Sequence, residues 1–277
     1  MLLQRLIGKG IALKVPYPPP QVPHPLVTTF VPIRFIRFIH FGPLTVITNS
    51  EVNGLSEATT LSLPLPLALP VSSADEADRS NFLNIIAEKS VTYASHRDHI
   101  FVDTYFFNTN PITQVDAYRS LTVENAGGKS EVSEALSIQY FHDKFIATNI
   151  LLEKEVDYRF YNCKMVDFVC TINEVRLGVS VTRAMGYPNP ERFDREAADH
   201  LLQKKLYGLI VARNAVNKQH RFFKSILHVF CQTEHIAELL VEAYASLDVN
   251  DFGLDIRGAV ILQLTICPDT RIYENKL

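Results

Sequence analysis

The chain has 277 residues, of which 47% are hydrophobic and 21% charged, enough for one large or two small globular domains with a substantial core. Its formal net charge of −3 gives no overall pull toward nucleic acid or an anionic membrane, so either partner would need a local patch. No apolar run reaches the roughly 18 residues of a membrane-spanning helix, and no membrane partner is expected.

Residues 1–80 hold 11 of the 15 prolines, including Pro18-Pro19-Pro20 and LPLPLALP at Leu63–Pro70. Proline at this density removes backbone donors and blocks both helix and central strand. Residues 1–50 lack Asp and Glu but contain Arg5, Lys9, Lys14, Arg34 and Arg37. The charge is that of a mitochondrial transit peptide, but the stretch is poor in Ser and Arg for one. The expectation is a disordered, proline-rich extension, with Val31–Phe41 as an isolated apolar run interleaved with Arg. Acids first cluster at Ser72–Ser80, which sets a boundary between this extension (1–80) and a globular domain (81–277).

From there the pattern reads as a short helix at Phe82–Lys89 and a strand or buried run at Ile100–Phe107, broken by Asn108–Pro111. A loop at Gly127-Gly128 precedes a helix over Glu131–Phe145, started by Ser130. Three strands follow at Val156–Tyr161, Met165–Ile172 and Leu177–Ala184, the last two joined by a tight Asn173-Glu174 turn. The Gly186–Asp194 loop ends in an N-cap Asp and leads into a helix over Arg195–Val216. A strand at Ser225–Cys231, an amphipathic helix at Thr233–Leu247 and a strand at Ala259–Cys267 complete the chain. The fold class is α/β, a mixed central sheet flanked by helices.

Three polar residues stand out against this apolar frame. Asp167 falls in an otherwise apolar strand, where an unpaired carboxylate is costly. Glu134 sits beside the Val132, Leu136 and Tyr140 face of its helix. Lys205 falls within the Ala198, Leu201, Leu202, Leu206 and Leu209 face, where it must snorkel, pair or take part in chemistry. His200 to Thr233 contains no acid but carries Lys204, Lys205, Arg213, Lys218, Arg221 and Lys224, a candidate phosphate-contacting patch. Arg183, at the end of a strand, is a further candidate. Cys163, Cys170, Cys231 and Cys267 form no CxxC pair, and the first two are expected as small core residues of strands. This composition fits an intracellular, reducing compartment, nucleus or cytoplasm ahead of the mitochondrion. The histidines show no metal-ligand spacing, and Walker A, GxSxG and HExxH motifs are absent.

Helix, three strands, helix, with Asp167 on the second strand and VSVTRA (Val179–Ala184) on the third, resembles the active-site hairpin of the PD-(D/E)XK, or restriction-endonuclease-like, nuclease superfamily. The resemblance covers roughly Ser130 to Cys231. It places Asp167 at the metal-binding Asp, Ser180 at the Glu position and Thr182 at the Lys position of the Glu-x-Lys motif. Glu134 falls on the acid that many members carry on the first helix, and Gln203, Lys204 and Lys205 on the helix that often completes the site. Two signature positions are therefore changed, and a hydroxyl replaces neither a carboxylate ligand nor an ammonium. Migrated residues offer substitutes: Lys164 or Lys205 for the lysine, Glu155 or Asp157 for the carboxylate. The resemblance implies Mg²⁺ held by Glu134 and Asp167, with Asp157, Ser180, Thr182 and Lys205 around it, and hydrolysis of phosphodiesters in nucleic acid. The alternative is a catalytically silent nuclease-fold module that binds nucleic acid or a protein.

Overall fold

A computed structural model describes residues 73–87, 99–123, 130–247 and 259–277. The expectations for residues 1–72, and for the Gly127-Gly128 loop, lie outside the described residues. Among the described residues, six strands form one sheet: β1 (Ile100–Thr104), β2 (Thr148–Leu152), β3 (Phe168–Ile172), β4 (Val175–Ala184), β5 (Lys224–Cys231) and β6 (Val260–Ile266). Their spatial order is β1-β6-β5-β4-β3-β2. The helices are α1 (Ser73–Ala87), α2 (Val115–Thr122), α3 (Glu131–Phe145), α4 (Arg195–Ala215), α5 (Glu234–Ser246) and α6 (Thr270–Glu274).

Short turns and helical crossovers divide the sheet into two regimes. Asn173 and Glu174 take φ of 47° and 65°, the left-handed pair that a two-residue hairpin requires, so β3 and β4 run antiparallel. β2 adds antiparallel to β3. The longer crossovers through α4 and α5 instead make β4, β5 and β6 parallel, and β1 joins β6 in parallel as well. Every residue of β5 is buried, as expected for a parallel strand covered on both faces.

Two apolar cores lie on opposite sides of the sheet. Phe82, Leu136, Phe141, Phe168, Val179 and Phe230 belong to the one that α1 and α3 close. Leu202, Leu206, Val169, Leu227, Ile236 and Leu240 belong to the one under α4 and α5. Asp194 caps α4 as the sequence suggested, accepting from Ala197 N at 2.9 Å, and Thr233 caps α5, accepting from Ile236 N at 3.3 Å. Gly178 on β4 lets the Phe222 ring close over the strand: a Cβ there would lie 2.6 Å from the ring. Gly178→Ala is therefore expected to cost about 1–3 kcal/mol, read as a lower denaturant midpoint with an unchanged slope.

Several expectations need correction. The first strand of the antiparallel meander is Thr148–Leu152, not Val156–Tyr161. The alternation in the latter arises because Val156 and Tyr158 dip into the α4-side core from a loop, with one isolated bridge from Tyr158 to Val216. Cys163 lies in that loop, half-buried, rather than in a strand, while Cys170, Cys231 and Cys267 are buried. The first helix begins at Ser73, inside the segment read as a boundary, and buries Phe82, Ile85 and Ile86. α2 and α6 were not foreseen; at eight and five residues they are too short to impose a helical period. Among the described residues no helix is long and apolar enough to cross a membrane.

Candidate functional site

Glu134 and Asp167 line one recess. Its lining comes from Ser120 and Val123 at the end of α2, Glu134 and Ile138 of α3, Leu152 of β2, the Glu153–Glu155 turn, and Asp167. Arg119 braces the outer wall: it pairs with Asp116 at 2.9 Å, with Glu155, and with the Ile150 carbonyl at 3.1 Å. Glu155 Oε2 accepts from Leu152 N at 2.9 Å and fixes the turn.

Asp167 stands one residue ahead of β3, its N–H donating to Val179 O at 2.9 Å. The antiparallel register sets it opposite Ser180. Ser180 Oγ donates to Asp167 Oδ2 at 3.0 Å and Val181 N donates to the same oxygen at 2.5 Å. Lys205 reaches across from α4 and donates to Val181 O at 2.7 Å. One residue, Val181, thus links the carboxylate to the ammonium: its N–H serves Asp167 and its carbonyl, in the next peptide, serves Lys205. Lys205 in the apolar face of α4 is explained by this bond.

Glu134 is buried in the first turn of α3, where its side chain accepts from Ser130 Oγ at 2.5 Å. Burial pushes its carboxyl up to about 7; the neighbouring charge of Asp167 adds to the rise and the Ser130 bond opposes it. Around neutral pH the Glu134 carboxyl is therefore close to its own titration. Each carboxylate keeps one oxygen, Glu134 Oε2 and Asp167 Oδ1, outside these bonds.

The remaining candidates separate. Thr182 is half-buried on β4 and does not line the recess. Asp157 lies elsewhere: its carbonyl accepts from Asn217 N at 2.8 Å, its N–H donates to His220 Nδ1 at 2.9 Å, and its carboxylate accepts from Gln219. Lys164 is exposed in the loop before β3. Lys224 is not available to a phosphate; it is buried at the start of β5 and donates to the Ile85 carbonyl. Arg183 is half-buried and donates to Ile272 O at 3.0 Å, joining β4 to α6. Lys204, Lys218 and Arg221 are exposed and Arg213 half-buried. Among the described residues no three His, Cys, Asp or Glu side chains converge as a ready-made metal cluster.

Ser120, Val123 and Glu153 line the recess without any motif in the sequence that singles them out. The charged trio Glu153-Lys154-Glu155 after two leucines is the signal the sequence carries for this wall.

A match exists to a Dictyostelium discoideum protein described as "AAC-rich mRNA clone AAC4 protein": 35% identity over 132 residues, covering 46% of this chain and 19% of that protein. The chain thus matches about a fifth of that relative's length. No family model matches the chain, and no solved structure matches it.

Proposed function

We propose that the Glu134–Asp167 recess is a divalent-cation site of a divergent PD-(D/E)XK-like protein acting on phosphodiesters in nucleic acid. The observation that carries this reading is the meeting, in one recess, of two acids from separate elements, with Ser180 bonded to one of them. The order α3-β2-β3-β4-α4-β5, with β5 parallel to β4, supports it as the layout the resemblance implies.

The donor set fits a small hard cation. Two mutually repelling carboxylates, each with an oxygen to spare, suit Mg²⁺, which binds through one or two carboxylates and completes its shell with water and phosphate. When bound, such an ion would lower the pKa of a coordinated water and offset phosphate charge. The chain's own residues do the rest. Ser180 and Val181 N–H fix the rotamer of Asp167 and aim Oδ1. Lys205 holds the Val181 peptide in place, so it acts as a positioning residue. Glu134 gives up its proton near neutrality, which ties occupancy of the site to pH.

A second reading, the silent module, is favoured by a different observation. Thr182 stands where the resemblance calls for a lysine, and the ammonium of Lys205 is spent on a backbone carbonyl. Incubation of the full chain with labelled DNA and RNA, with Mg²⁺, Mn²⁺ or EDTA, separates the two. The enzymatic reading expects metal-dependent cleavage that falls at least 100-fold in Asp167→Ala. Binding without cleavage in any metal selects the module.

A further inference from the structure

The loop that leads into Asp167 carries a surface the recess does not use. Residues 157–159 lie alongside 215–217, with Arg159 N donating to Ala215 O at 2.8 Å, Asn217 N donating to Asp157 O at 2.8 Å, and a bridge between Tyr158 and Val216. The Tyr158 hydroxyl then accepts from Val166 N at 3.0 Å, closing the loop next to Asp167. Between those ties the sequence reads RFYNCK. Phe160 is 65% exposed and Tyr161 fully so, and Arg159 and Lys164 are exposed beside them. Across the 157–159 and 215–217 pairing, the segment after Val216 carries exposed Lys218 and Arg221, and the Arg221 guanidinium lies 5.0 Å from the centroid of a 70%-exposed Phe223 ring.

Three aromatic rings standing in water have a hydrophobic cost that a folded chain usually avoids, and here exposed cations lie in the same segments, one of them against the Phe223 ring. That combination is the chemistry of a single-strand platform: the rings stack on unpaired bases and the cations meet the phosphates between them. A duplex hides its base faces and offers such rings nothing but phosphate.

We infer that the surface of Arg159–Lys164 and Lys218–Phe223 binds single-stranded nucleic acid, stacking bases on Phe160, Tyr161 and Phe223. This defines the form of substrate presented to the recess, and in that respect rests on the proposed function; the binding itself stands on the surface alone. Asp157, the acid at the edge of this surface, is engaged by Gln219.

The test is fluorescence anisotropy of the full chain with labelled oligo-dT, oligo-U and a mixed-sequence duplex, all in EDTA so that the recess plays no part. The expected result is tighter binding of both single strands than of the duplex, with Phe160→Ala and Tyr161→Ala each weakening the single strands roughly tenfold. Phe160→Tyr with Tyr161→Phe is expected to retain binding, and Lys218→Ala to reduce its salt dependence. A matching melting temperature for each variant verifies the fold. Duplex bound as tightly as single strand, or single-strand affinity unchanged in the double alanine variant, overturns the inference. Metal-dependent cleavage of duplex with no role for the rings would overturn it while leaving the recess reading intact; ring-dependent binding without cleavage would do the reverse.

Discussion

Asp103→Ala is expected to lower the unfolding free energy by roughly 3–5 kcal/mol. Asp103 is buried on β1 and accepts from four donors: Tyr140 OH at 2.7 Å, Lys144 Nζ at 2.5 Å, Thr265 Oγ1 at 2.9 Å and Gln263 Nε2 at 3.3 Å. Removing it strands a phenol, a hydroxyl and an amide inside the α3-side core; Lys144 is a quarter exposed and can turn toward water. The network extends further. Because Thr265 donates its proton to Asp103, its oxygen accepts from His228 Nε2–H at 3.0 Å, so His228 Nδ1 accepts from Ser137 Oγ at 2.7 Å. Burial holds that imidazole neutral, its pKa down at about 3. An unfolded chain would take up a proton there near pH 6.5, so stability falls as pH drops from that value toward 3. Urea titrations of Asp103→Ala and Asp103→Asn measure the effect, and the amide variant, which keeps an acceptor, is expected to lose markedly less.

Glu134→Gln is expected to stabilise the protein at pH 8 by about 2–3 kcal/mol and to leave it nearly unchanged at pH 4. The sign follows from the raised carboxyl, about 7 folded against 4.5 as the ordinary value. Between those values the folded state holds more protons than the unfolded one, so stability declines as pH rises through the window, and above it the full cost is present. Each pKa unit is worth about 1.4 kcal/mol, which sets the upper bound. A solvent-exposed glutamate would not behave so: its replacement would be close to neutral at both pH values. Thermal melts at pH 4, 6 and 8 give the answer. A stabilising loss of a buried acid is also the signature expected of a group retained for binding rather than for the fold.

The sequence is most informative where hydrogen-bonding chemistry is local. Asn173-Glu174 announces its hairpin because few residue pairs tolerate two left-handed positions, and Asp194 announces its helix by capping it. Glu131–Phe145 was legible to the residue, although its near-complete burial, Glu134 included, was not. Asp167, Ser180 and Lys205 could be brought together in advance because a hairpin register and a helix face fix their relation. The misreading of Val156–Tyr161 has the opposite cause. Alternating burial is produced there by a loop packed on α4, and period alone cannot distinguish that from a strand in a ladder. Thr148–Leu152 was missed because five residues that follow a left-handed Ile146, with Asn149 also at positive φ, carry little strand signal. The basic run from His200 to Thr233 is likewise a linear pattern that folding divides: Lys205 and Lys224 point to backbone carbonyls, and Lys204, Lys218 and Arg221 remain at the surface. Asp103 and His228 join residues from β1, α3, β5 and β6, a meeting that no short window of sequence contains.

Calorimetric titration of the full chain with Mn²⁺ at pH 7, in two buffers of different ionisation enthalpy, tests the shared carboxylate site most directly. One ion per chain is expected, with part of a proton released from Glu134 on binding, and with both the heat and the proton release abolished in Asp167→Asn and in Glu134→Gln. No binding heat in the parent chain, or binding that persists unchanged in both variants, would contradict the account.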